Sequence, residues 1–305
     1  MSCPLCQQTA FQTLKGYESI GKYDDRSDLV ICNSCGHHYL ILRKAGADRA
    51  YFEDGKYQLL DTRKSVFDRI KEWDAKRVLK VINKQYHQGG RLLDFGCGKG
   101  LFLSALKGSH WKGKGIETAE ARANFGKAHY QVDIDTAMYA SGKLNEGPFE
   151  VITLFHVLEH LDQPNQLLQA LIDDNLKEGG TLIIEVPLFS SWQSKIAGRR
   201  WIQLDPPLHI SHFDDKRLEG FLTSLGLTVY NTQTFSLQLG LLGMIQSILS
   251  RVGYHGDYIE DLKFNRTKKL LLTTALVLPF AFVLEIGAVL FQRGGVIRLY
   301  AKKHP

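Results

Sequence analysis

"GGRLLDFGCGKGLFLSALKG", residues 89 to 108, decides how the chain folds. Arg91 to Phe95 is a short run of β-forming and apolar residues, which predicts a strand. Gly96, Gly98 and Gly100 follow at alternate positions and permit a tight turn with close backbone approach. Leu101 to Leu106 then opens an apolar helix. Strand, glycine-rich turn and helix together form a unit that cradles a nucleotide, because the turn presents bare backbone to the ligand. A dinucleotide fingerprint would put its third glycine at position 101. Leu101 stands there and Gly100 comes one residue early, which counts against a nicotinamide dinucleotide.

The neighbouring sequence strengthens this reading. Asp94 stands at the end of the strand. A second strand, "WKGKGIE" (111 to 117), ends in Glu117 about twenty residues after the turn, where a carboxylate can take ribose hydroxyls. "YQVDID" (130 to 135) reads as a third strand. "FEVITLFHVLEHL" (149 to 161) is an apolar strand running into a polar helix start, and "LKEGGTLIIEVP" (176 to 187) is one more. "GLTVYNTQTF" (226 to 235) and "GGVIRLYAKK" (294 to 303) supply a sixth and a seventh.

Taken together, "LLDFGCGKG", "GIE" and the two later strands resemble the class I S-adenosylmethionine-dependent methyltransferases, over roughly residues 89 to 236 plus the last strand. The resemblance implies an α/β fold: a Rossmann-like seven-stranded sheet with helices on both faces. It implies S-adenosylmethionine as cofactor, with Gly96 and Gly98 passing under its methionine and ribose portions. Asp94 would orient the loop or the cofactor amine, and Glu117 would hold the ribose diol. Asp133 or Asp135 would contact the adenine, and Phe155 and His156 would line the floor.

Ahead of this core stand two cysteine knuckles, "CPLC" (Cys3, Cys6) and "CNSCG" (Cys32, Cys35). Four thiolates on two tight turns suit tetrahedral zinc, and a closed four-cysteine site leaves no open position, so the metal is expected to be structural. His37 and His38 are spare ligands, and the fifth cysteine, Cys97, lies in the glycine turn. "DLVICNSCGHHYLIL" (28 to 42) alternates enough to predict short strands.

Methyl transfer to oxygen, nitrogen or activated carbon needs a base, and histidine is the usual choice near neutral pH. "HVLEH" places His156 and His160 near the carboxyl ends of the strands, where open α/β sheets bind ligands. "WIQLDPPLHISHF" (201 to 213) adds His209 and His212, held by a rigid Asp205-Pro206-Pro207 approach. His209 and His212 are the preferred bases, with His160 next. Trp192 and Trp201 flank the basic "KIAGRR" (195 to 200), which could stack a sugar, grip a phosphate or form a solvated lid.

Residues 237 to 291 are mostly apolar, and "LLLTTALVLPFAFVLEIGAVLF" (270 to 291) has the length of a membrane span. In the fold that the resemblance implies, the sixth and seventh strands form a hairpin which this stretch would interrupt, so the seventh strand must return to the same side to pair. Lys268 and Lys269 before it and Arg293 after it give no charge asymmetry. Pro279 predicts two helices or one kinked helix, lying on a membrane face or packed over the substrate mouth.

The expected domains are a zinc ribbon at 1–45, a helical linker and cover at 46–88, the cofactor-binding core at 89–236 with 292–305, and the hydrophobic helical insertion at 237–291. With 305 residues, 44% hydrophobic and 23% charged, the chain has a globular composition. "MSCPLCQQTA" has no basic-then-apolar leader pattern, so a cytoplasmic location is expected, with peripheral contact at the inner face of the membrane. The expected acceptor is a sugar, a lipid-linked glycan or another amphipathic small molecule. An RNA base methyltransferase is the runner-up. The net charge of +6 comes without a dense basic stripe with interleaved aromatics, so nucleic acid is disfavoured. A non-catalytic cofactor-binding adaptor is the third reading. Oligomeric state has no signature in the sequence.

Overall fold

The computed structural model describes residues 2–21, 27–42, 66–136, 138–256 and 258–304. Its strands are β1 (Phe11–Thr13), β2 (Ser27–Cys32), β3 (His38–Leu42), β4 (Gly90–Phe95), β5 (Trp111–Ile116), β6 (Ile134–Asp135), β7 (Phe149–Phe155), β8 (Leu176–Pro187), β9 (Ser211–His212), β10 (Leu227–Gln233) and β11 (Val296–Lys303). They form a seven-stranded sheet in the order β10-β11-β8-β7-β4-β5-β6 and a four-stranded sheet in the order β1-β2-β3-β9.

The run "RLLDF" forms β4, which is paired in parallel with β5 on one side and β7 on the other. The chain fills one side of β4 with β5 and β6, then crosses to β7 and β8, so the strand order reverses at β4. Such a reversal opens a crevice at the carboxyl ends of the strands. Adjacent residues Leu92 and Leu93, Val151 and Ile152, and Ile183 and Ile184 are all fully buried, so both faces of these strands are covered. That is why they read as continuous apolar runs and not as alternating ones. Each such side chain contributes roughly 1.5–3 kcal/mol of burial.

The chain divides into two units. The sheet unit holds the described parts of 46–186, 218–232 and 298–305. Its core includes Leu79 and Ile82 from the helix Val66–Ile82, with Leu92, Phe102, Trp111, Ile183 and Tyr300. Residues 46–65 of the expected linker lie outside the described residues.

The second unit holds the described parts of 1–45, 187–217 and 233–297. Here β2 pairs antiparallel with β1 and β3, and β9 pairs with β3, setting His38 opposite His212. The cysteine-bearing ribbon is thus completed by a strand from far along the chain. Between β10 and β11 lie the helices Gly243–Arg251, Tyr258–Phe264 and Lys268–Leu290. Of the two arrangements expected at Pro279, two separate helices are not formed: one helix runs through it. Pro279 is exposed, so its ring crowds no neighbouring element. The lost helical bond is offset by packing of the opposite face, where Leu270, Ala281, Glu285 and Ala288 are buried. Thr267 caps the start by accepting from the Leu270 N–H at 3.1 Å.

Candidate functional site

The carboxyl ends of β4, β5 and β7 are level, with Phe95 beside both Ile116 and Leu154. The glycine turn leaves β4 at this point. The N–H of Gly96 donates to the Ile116 carbonyl at 2.8 Å, which folds the turn back over β5. Gly96 has φ +70°, and a Cβ there would stand 2.4 Å from a Val157 methyl, so only glycine fits. Gly98 has φ +55° but faces open space, leaving its backbone accessible to a ligand.

Glu117 ends β5 and clasps the turn. One carboxylate oxygen accepts from the Gly98 N–H at 2.8 Å and the other from the Ala119 N–H at 2.8 Å. This loop-fixing role was not read from the sequence, although a carboxylate just past a strand end facing a glycine turn is its signal. Asp94 is buried beneath the turn and accepts from the Thr153 hydroxyl at 2.7 Å. Burial pushes its carboxyl up to about 7, opposed by the Thr153 hydrogen bond. Asp133 and Asp135 both pair with Lys114, at 3.0 and 3.1 Å, and both are more than half exposed. Burial also pushes the Cys97 thiol far up, which makes it inert.

At the end of β7, Phe155 packs edge-on against Phe102, with ring centres 5.1 Å apart. His156 follows with φ +56°, an uncommon conformation for a non-glycine residue that is held here by its partners. Its Nδ1 lies 3.2 Å from Glu159 and its Nε2 3.1 Å from Glu185. Burial alone would pull its pKa down, but the two carboxylates outweigh this and carry it up to about 10. His156 is therefore an imidazolium near neutral pH and donates hydrogen bonds; it is not a base in waiting. Glu185 also pairs with Arg298, which pairs in turn with Asp74. His160 lies in the turn Leu158–His160 that follows.

In the ribbon unit, Cys3, Cys6, Cys32 and Cys35 converge, with their sulfurs all within 4.8 Å of one another. Cys3 and Cys35 sulfurs are 3.6 Å apart, and those of Cys6 and Cys32 are 3.5 Å apart. A tetrahedral zinc with ~2.3 Å bonds needs sulfurs about 3.8 Å apart, so the set fits that ion. His37 instead packs against Tyr39 and Phe213.

Also in this unit, His209 Nδ1 lies 2.7 Å from the Gln203 carbonyl. A carbonyl only accepts, so Nδ1 is the donor of this bond. His212 is buried on β9, and its Nε2 has no hydrogen-bond partner among the described residues. Of the readings open for this segment, stacking of a sugar between Trp192 and Trp201 finds no support. Trp201 is buried with Leu29, Leu40 and Leu204, and Trp192 stacks on Phe291. The arginines beside them are drawn to backbone: Arg200 donates to the Ser250 carbonyl at 2.9 Å. Packing decided these side chains, and a sequence pattern of aromatic and basic residues does not distinguish packing from binding.

Residues 51–232 match the profile of the methyltransferase domain family, and the chain belongs to that family. Ribosomal protein L11 methyltransferase of Neisseria meningitidis serogroup C is 27% identical over 132 residues, 42% of this chain and 43% of that protein. The mitochondrial ubiquinone biosynthesis O-methyltransferase of Dictyostelium discoideum is 28% identical over 200 residues, 56% of this chain and 62% of that protein. The chain therefore spans less than two thirds of the length of either relative. Among solved structures, an O-methyltransferase from a trans-AT PKS multienzyme of Brevibacillus brevis, in complex with S-adenosyl-L-homocysteine, superposes with a TM-score of 0.50 at 17% identity, covering 86% of this chain and 82% of that one. That likeness is one of fold.

Proposed function

We propose that the chain transfers the methyl group of S-adenosylmethionine to a sugar, a lipid-linked glycan or another amphipathic small molecule. The observation that carries this reading is the Gly96–Gly98 turn at the reversal of strand order, clasped by Glu117 with Asp94 buried beneath it. When bound, S-adenosylmethionine supplies a methyl group on a sulfonium that an acceptor can take by in-line displacement. The chain binds and orients. Gly98 offers open backbone, Glu117 has lone pairs left for the ribose diol, and Asp94 meets the amine. Asp133 or Asp135 reaches the adenine by yielding its tie to Lys114. Such placement accounts for much of the acceleration, and a base supplies the rest. The Dictyostelium relative is named for ubiquinone biosynthesis and the Neisseria one for a ribosomal protein, so a small-molecule acceptor is in keeping with the first and a protein acceptor with the second. Incubation with labelled S-adenosylmethionine should label a saccharide or lipid extract. Label only in RNA or protein would change the acceptor class. Transfer to none of them would leave a cofactor-binding adaptor.

The base in this reading is His209, whose Nε2 takes the acceptor proton while Nδ1 stays bound to Gln203. His209→Ala should lower kcat by a factor on the order of a hundred or more, with S-adenosylhomocysteine affinity unchanged. His212 is the alternative. Burial and the neighbouring His209 hold it well below the ordinary range, so it stays neutral but is a weak base. If both alanine variants keep full turnover, His160 becomes the candidate; His156, already protonated, does not.

The reading also includes a structural zinc held by Cys3, Cys6, Cys32 and Cys35. Purified protein should contain one zinc per chain, and Cys32→Ser should lose it. Elemental analysis showing full zinc in Cys32→Ser would rule out this ligand set.

A further inference from the structure

The helix Lys268–Leu290 has its polarity inverted relative to a helix that faces water. Its inner face carries the polar groups: the Thr274 hydroxyl lies 2.9 Å from the Tyr258 hydroxyl, and the buried Glu285 carboxylate accepts from the Gln193 amide at 3.2 Å. Its outer face carries Leu272, Leu276, Phe280, Val283 and Leu290, each between 63% and 77% exposed. Past Lys269 the helix holds one charged residue, Glu285, and it is turned inward. A surface helix normally arranges these the other way round. With 17% of its most apolar window buried, this is not a core helix either.

We propose that this face docks onto an anionic lipid bilayer, with the helix lying in the plane of the membrane and not crossing it. The inference concerns where the chain sits and does not rest on the methyl-transfer reading. At roughly 100° per residue, those outer-face positions together with exposed Leu271, Leu278, Phe282 and Ile286 sweep about 200°, somewhat over half the circumference of the helix. A partner helix covers a narrow stripe, whereas acyl chains can cover so wide and convex a face. Exposed Arg266, Lys268 and Lys269 stand at the first turn, and no acid lies on the outer face, so the surface complements anionic headgroups.

The case against crossing lies in how both ends are held. Leu270, near the start, packs in a cluster with Met244, Ile245 and Tyr258. At the other end Phe291 stacks on Trp192, and Arg293 pairs with Asp215 at 2.7 Å. Start, middle and end are all fastened to the same unit. A helix set upright across a bilayer would drag those charged partners into the hydrocarbon.

Flotation tests this with the full chain and vesicles of phosphatidylcholine containing about one third phosphatidylglycerol. The wild type should float with these vesicles and float less with phosphatidylcholine alone. The double variant Phe280→Glu, Val283→Glu should reduce the floated fraction at least tenfold. Its circular dichroism should stay unchanged, since both positions are exposed. Trypsin outside sealed vesicles should remove tags at both termini. Wild type that stays at the bottom in both mixtures overturns the proposal; if it then sediments as a dimer, the face joins two copies. Equal flotation of wild type and variant rejects this face as the contact. Protection of one tag rejects the in-plane placement.

Discussion

Arg298→Ala is expected to cost about 3 kcal/mol or more of folding stability. Arg298 is 2% exposed, and its guanidinium pairs with Asp74 and Glu185 while lying 5.5 Å from the centre of the Phe155 ring. Removing one partner of a buried pair strands the other's charge, which typically costs 3–5 kcal/mol. The lower end applies here, because Glu185 keeps His156 at 3.1 Å and Asp74 keeps Arg77 at 3.2 Å. Urea unfolding reads the loss as a lower midpoint at an unchanged slope.

The same network gives wild type a pH window. Burial opposes the Glu185 charge, but Arg298 and His156 outweigh it and hold its folded pKa below the ordinary carboxylate value. That contribution is present above the unfolded value and is lost as pH falls through the folded one. His156, raised to about 10, contributes fully below its ordinary value of 6.5 and loses that contribution as pH rises through about 10. In Arg298→Ala the acid limb should move to higher pH. A variant as stable as wild type would mean that the network carries no net energy.

Much of the sheet could be read from the sequence because its signals are local. Continuous apolar runs gave β4, β7 and β8, and the glycine turn marked the start of the helix Leu101–Ala105. What escaped was set by contacts distant in sequence. The two-residue strand β9 has no periodicity of its own; it exists because β3 offers it a free edge. The Arg298 network was also missed, although a charged residue inside the apolar run "VIRLYA" was a sign that a buried partner must exist. At Pro279 the sequence left two helices or one kinked helix open for a related reason. Helix continuity there depends on what packs on the opposite face, and no local pattern reports that.

The second large effect belongs to the cofactor turn. In Gly96→Ala the new methyl would meet Val157 at 2.4 Å on a backbone with φ +70°. An L-residue in that conformation costs roughly 1–2 kcal/mol before the clash is counted. Val157 or the turn must move, and a displacement near 1 Å at a binding turn can cost on the order of a hundredfold. Turnover should therefore fall by about that factor, and S-adenosylhomocysteine affinity should fall with it. Gly108→Ala is the control. It has a similar φ of +77°, but its added Cβ meets nothing within 4 Å and it lies outside the turn, so affinity should be unchanged. Equal losses in both variants would point to general destabilisation and away from the turn.

Calorimetric titration of the wild-type chain with S-adenosylhomocysteine tests the central claim most directly, with Glu117→Ala as its partner. The wild type should bind one molecule per chain. Glu117→Ala loses the clasp on Gly98 and Ala119 together with the ribose contact, and should bind at least tenfold more weakly, since hydrogen bonds to a carboxylate contribute roughly 1.5–3 kcal/mol each. A folded wild-type chain that gives no binding heat, at two temperatures so that a zero enthalpy is not mistaken for no binding, would contradict the account, as would a Glu117→Ala variant that binds as tightly as wild type.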